Sequence, residues 1–121
     1  MADTNPGPAI TSTGSLVPTI SNVQKSGIFG VTLTPAAVAA ATSAEQIFPL
    51  AGVLATDFIS VNKPTSQAGL GIVGARNAGA GQIGITFMNA TAAPITPTAG
   101  EVYMVEVKQL VDGDTLSAFP Y

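Results

Sequence analysis

Gln82-Ile-Gly-Ile-Thr-Phe-Met-Asn89 is the stretch that decides the fold. Ile83, Ile85 and Phe87 alternate with Gln82, Gly84 and Thr86, and a period of two puts one set of side chains on a single face of an extended strand. Three large apolar residues on that face predict a central core strand. The same pattern recurs at residues 101–110, where Tyr103, Val105 and Val107 share one face and Met104, Glu106 and Lys108 the other.

Working outward, four more runs read as strands. Residues 28–34 place Phe29, Val31 and Leu33 together, and Pro35 ends the run. Residues 45–50 put Phe48 and Leu50 on a shared face, and residues 57–62 do the same for Ile59 and Val61, with Phe58 opposite; Gly52 lies in the intervening turn. Residues 70–76 are interrupted by Gly71 and Gly74, a pattern that marks a bulge. The alanine-rich piece Pro35-Ala-Ala-Val-Ala-Ala-Ala41 has high helix propensity, with Thr34 and Pro35 placed as cap and first residue, and predicts one short helical turn.

Six strands with no long helix between them cannot be joined as parallel βαβ units, because such crossovers need about a dozen residues. The expectation is an all-β chain: an antiparallel β-sandwich or jelly roll of about six strands with an extended N-terminal arm. We expect residues 1–26 to form the arm, 27–111 the sandwich body and 112–121 a C-terminal tail, with a turn at Asp112-Gly-Asp114 and Phe119-Pro-Tyr121 at the end. The arm carries Pro6, Gly7, Pro8, Gly14 and Pro18 among polar residues. Its spaced apolar residues Ile10, Leu16, Val17, Ile20 and Val23 suit pockets on a neighbour rather than a core of their own.

Composition narrows the function. Charged residues are 9% of the 121, against about 25% in a typical soluble domain. Interface cores are depleted in charge, so a surface this sparse in ionised groups points to coverage by neighbours. Large apolar residues on the faces opposite the core, Ile28, Phe58, Met88 and Met104, are the candidate subunit contacts. Four cations, Lys25, Lys63, Arg76 and Lys108, within a net charge of -3 build no basic stripe for a phosphate backbone; nucleic acid is not an expected partner. No run approaches the ~20 apolar residues of a membrane helix, and the acidic, proline-bearing start does not read as a secretion signal; no membrane partner is expected.

With no His and no Cys, the commonest general base, the commonest metal ligand and the thiol nucleophile are missing. Seven carboxylates remain: Asp3, Glu45, Asp57, Glu101, Glu106, Asp112 and Asp114. Asp112 and Asp114 flank a turn glycine and fall short of the six or more oxygens of a calcium loop. Two matches to the dinucleotide fingerprint, Gly69-Leu-Gly71-Ile-Val-Gly74 and Gly79-Ala-Gly81-Gln-Ile-Gly84, run into strands and open no helix. Asn89-Ala-Thr91 fits the glycosylation triplet, with a polar strand end as its plain reading. We therefore expect no enzyme activity, no cofactor and no metal.

The stretches Gly30-Val-Thr-Leu-Thr-Pro-Ala-Ala-Val38, Ala44-Glu-Gln-Ile-Phe48, Asp57-Phe-Ile-Ser-Val-Asn62, Ala68-Gly-Leu-Gly-Ile-Val-Gly-Ala-Arg76 and Ile85-Thr-Phe-Met-Asn-Ala-Thr91, followed by Ile95-Thr-Pro97, together resemble a group of small virion proteins of tailed bacteriophages. The likeness spans residues 28–107 and lies in overall wording, with no catalytic signature to transfer. It implies a capsid decoration (cement) protein, or alternatively a fibre or receptor- and carbohydrate-binding module of the virion. A cement protein would bind the outer surface of the major capsid protein lattice, stabilise the shell and associate with itself as a dimer or trimer. Its place would be the capsid exterior, after assembly in the bacterial host cytoplasm.

Overall fold

Alternation of apolar and polar residues produces six strands: β1 (Val23–Leu33), β2 (Thr42–Pro49), β3 (Phe58–Asn62), β4 (Leu70–Gly79), β5 (Gln82–Asn89) and β6 (Glu101–Leu110). The structure is a computed structural model that describes residues 23–110, with side chains from residue 26. All pairings are antiparallel, in two three-stranded sheets ordered β1-β6-β3 and β2-β5-β4. No helix occurs among the described residues. The chain is an all-β protein of sandwich type, with six described strands where a jelly roll has eight.

The two most regular strands are the two central ones. From β5, Ile83, Ile85 and Phe87 point inward; from β6, Tyr103, Val105 and Val107 do the same, and all six are buried. Leu33 of β1 and Ile59 of β3 extend this layer, and Val38 and Val53 close it from the loops. Phe48, Leu50, Val61, Leu70 and Ile72 pack around its margin. The first and last described strands are neighbours, registered from Val23 opposite Leu110 to Leu33 opposite Glu101.

Three expectations are corrected. β1 begins at Val23, so residues 23–26 of the expected arm belong to a strand: Ser26 and Gly27 pair with Lys108 and Val107 of β6, although their polar sequence carries no alternation. β2 begins at Thr42 and β4 runs on to Gly79, both further than the apolar pattern reaches. The short helical turn at 35–41 does not form. Val38 instead exchanges both backbone hydrogen bonds with Ile95, at 2.8 and 3.0 Å, and the Gln46 side-chain amide bonds both backbone groups of Ala36. A nucleating helical turn fixes about three residues for one bond, and these pairings outcompete it. Ala41 then takes a φ of 51° as the chain reverses into β2.

The glycines of the fingerprint matches serve backbone geometry. Gly74 lies at a register shift in β4, as the sequence predicts, and Gly79 and Gly81 adopt φ of 133° and 74° around the tight β4–β5 turn. Glycine enters these positive-φ regions without a Cβ clash.

The Tyr103 hydroxyl is buried with no hydrogen-bond partner among the described residues. An orphaned buried hydroxyl costs about 1–3 kcal/mol. Chemical denaturation should therefore show Tyr103→Phe matching or exceeding the parent in stability, whereas Phe87→Ala should lose about 3–5 kcal/mol through its cavity.

Candidate functional site

Each described carboxylate has a structural partner. Glu45 on β2 and Arg76 on β4 reach across the central strand and form a two-pronged pair, Nε to Oε2 at 2.7 Å and Nη2 to Oε1 at 2.8 Å. Their bridge passes over Gly84, where an added Cβ would overlap the Glu45 carboxylate. Hydrogen bonding from the guanidinium holds the Glu45 carboxyl below its ordinary range, and the carboxylate in turn raises Arg76. At the start of β6, Glu101 accepts from the Thr65 hydroxyl and from Lys63 Nζ at 3.0 Å, and these contacts, Thr65 first, lower its carboxyl as well. Depressed carboxyls stabilise the folded chain above the ordinary carboxylate range, and that contribution fades as pH falls below it.

Asp57, buried at the mouth of β3, accepts from the Leu54 amide at 2.9 Å and from Gln109 Nε2 at 3.3 Å. Glu106 lies 3.7 Å from Lys108. Asn89, the glycosylation-triplet residue, is fully buried: Nδ2 donates to Val38 O and Ala93 O, and Oδ1 accepts from the Thr91 amide and hydroxyl. It clamps the end of β5 to the following loop and offers nothing to an outside group. Among the described residues no three acidic groups gather as metal ligands.

What the fold does expose is apolar. Ile28 is 62% exposed, Phe58 56%, Met104 47% and Met88 43%. The registers separate them. Ile28 lies opposite Glu106, Phe58 opposite Lys108 and Met104 opposite Gly30, so these three share the outer face of β1-β6-β3. Met88, opposite Ser43 and Gly71, lies on the outer face of the other sheet. Half-exposed Val102 and Leu110 belong with the first three, a pair that the sequence reading left out although alternation along residues 101–110 puts them on the Met104 side. Of the expected arm contacts, Ile10, Leu16, Val17 and Ile20 lie outside the described residues, and Val23 is described only in its backbone as the first residue of β1.

A cleft of about 300 Å³ opens where β1 and β6 outrun the opposite sheet, lined by Gly27, Phe29, Val31, Leu50, Val53 and Val107. Phe29, expected in the core with Val31 and Leu33, is instead half exposed there, because the cover ends before its ring does. Among the described residues no ionisable side chain lines this cleft.

Comparison with models of known families, with curated proteins and with solved structures finds no match to the chain.

The Gly84 passage is testable by titration. In Gly84→Ala the new methyl should displace the Glu45 carboxylate from Arg76, and NMR should find Glu45 titrating in the ordinary carboxylate range; in the parent chain it titrates lower.

Proposed function

We propose that the chain is a structural virion protein, a capsid decoration (cement) module that binds the outside of the major capsid protein lattice and stabilises the shell. The supporting observation is the uncovered face of β1-β6-β3, where Ile28, Phe58, Val102 and Met104 stand half exposed around one acid and one base. A single exposed apolar residue is ordinary, but several on one sheet face of a chain this poor in charge favour burial against a protein. The resemblance of residues 28–107 to phage virion proteins supports a virion as the setting.

In this reading residues 1–22 attach to capsid subunits and the sandwich body associates with further copies. Each contact is weak, and attachment at many lattice positions multiplies them. The carboxylates act as structural tethers, and the role needs no cofactor, metal, nucleic acid or membrane. The protein works on the capsid exterior after assembly in the host cytoplasm.

A fibre or carbohydrate-binding role is the second reading, supported by the half-exposed Phe29 ring beside Ser26 and Gln109 in the cleft. Aromatic faces next to hydrogen-bonding groups suit sugars. A glycan array separates it from the first, since specific sugar binding abolished by Phe29→Ala favours the fibre.

Purified protein added to shells lacking it should bind saturably and raise the temperature at which they release DNA. Absence of binding, or binding with no gain in heat resistance, rejects the cement role. A chain starting at residue 23 should keep its β-sheet circular dichroism and lose attachment; full occupancy by that truncated chain would refute the arm's part.

A further inference from the structure

The two outer sheet faces differ in chemistry. The face of β2-β5-β4 is crossed by the Glu45–Arg76 bridge, which ties its three strands together and satisfies its charges. The face of β1-β6-β3 has no such lacing: its described charges are Glu106 and Lys108, neighbours on the central strand whose charges cancel. Registry arranges the middle of this face in two rows. One row is Ile28, Glu106 and Ser60; the next is Ser26, Lys108 and Phe58. A large apolar residue, a charge and a serine occupy each row, with bulk at opposite ends and opposite charges in the middle.

We infer that this face docks on the same face of a second copy, about a two-fold axis that lies in the interface and runs across the strands. The two β6 strands then oppose one another in opposite directions. This rests on the reading of the body as a self-associating module, and it assigns the contact. Rotation about that axis lays one row over the other. Glu106 meets the partner's Lys108 and Lys108 meets the partner's Glu106. Phe58 falls over the partner's Ser60, and Ile28 over the partner's Ser26, so each bulky group meets a recess. A two-fold contact requires such self-complementarity.

The other face-to-face arrangement, with the axis along the strands, would stack Glu106 on the partner's Glu106 and Lys108 on the partner's Lys108. Like charges placed together oppose association, so the charge order selects the crossed arrangement. Three strands about 4.8 Å apart and the 10 residues of β6 at about 3.3 Å each give a footprint of at most roughly 14 by 33 Å. That is below the roughly 800 Å² per partner of a standard stable complex. The dimer therefore dissociates on dilution and gains permanence when copies are held together on a lattice.

Sedimentation velocity from about 1 µM to about 1 mM spans the range in which so small an interface forms. The parent chain should shift from monomer to dimer across it. Glu106→Lys alone and Lys108→Glu alone should each weaken association at least about tenfold, since each creates two facing like-charged pairs. The double variant E106K/K108E rebuilds both attractions in reverse and should return to within about threefold of the parent. Met88→Ser, on the other sheet, should leave association unchanged. A parent chain monomeric throughout, a double variant as weak as the singles, or equal weakening by Met88→Ser would overturn the inference. A monomer that still saturates shells would remove the two-fold contact and leave the cement role standing. A dimer with this charge dependence that ignores shells would keep the contact and remove that role.

Discussion

The fold depends on one contact layer: Ile83, Ile85 and Phe87 of β5 facing Tyr103, Val105 and Val107 of β6 across the space between the sheets. Each of these strands is the middle of its own sheet, so every other strand is held by hydrogen bonds to one of the two. Burying an apolar side chain of this size contributes about 1.5–3 kcal/mol, and the layer concentrates six of them in two strands. The surrounding strands then need only adequate pairing and one or two inward residues each. That accounts for an edge strand such as β2, whose residues Thr42 to Ala44 are all exposed.

A chain with so few charges spends them on architecture. Glu45 and Arg76 strap the outer strands of one sheet over a glycine, Glu101 and Lys63 fasten the loop after β3 to the start of β6, and Asp57 organises the approach to β3. An exposed pair such as Glu45–Arg76 contributes little by itself. The placement of these groups is what matters: the outer face of β2-β5-β4 carries an ion pair laid across its strands beside exposed Ile47 and Met88, and the outer face of β1-β6-β3 carries no bridge from strand to strand among the described residues. The asymmetry between the faces thus follows from where a handful of ionised residues fall on the strands.

Much of the body could be read from alternation alone. β5 and β6 have the expected bounds or nearly so, the inward residues of both are those the period of two selects, and the bulge in β4 lies at the glycine that signals it. Alternation states which side of a strand a residue occupies and is silent about which sheet the strand joins. That is why Met88 was grouped with Ile28, Phe58 and Met104, and why the sheet registers part them. The start of β1 was missed because its polar residues are held by backbone pairing to β6, which leaves no periodic mark. The helix propensity of residues 35–41 yielded to the Val38–Ile95 exchange, a partnership 57 positions apart in the chain. The Glu45–Arg76 pair, 31 residues apart, depends equally on tertiary proximity.

The adjacency of β1 and β6 also governs how the molecule comes into being. The β4–β5 hairpin is local and can close within microseconds, but the sheet built on β6 needs the earliest described strand to wait for the latest. Loop closure over such a span is slow. During synthesis, β1 stays without its partner until residues 101–110 have left the ribosome, and the apolar positions around residues 28–33 stay open to solvent for that whole interval.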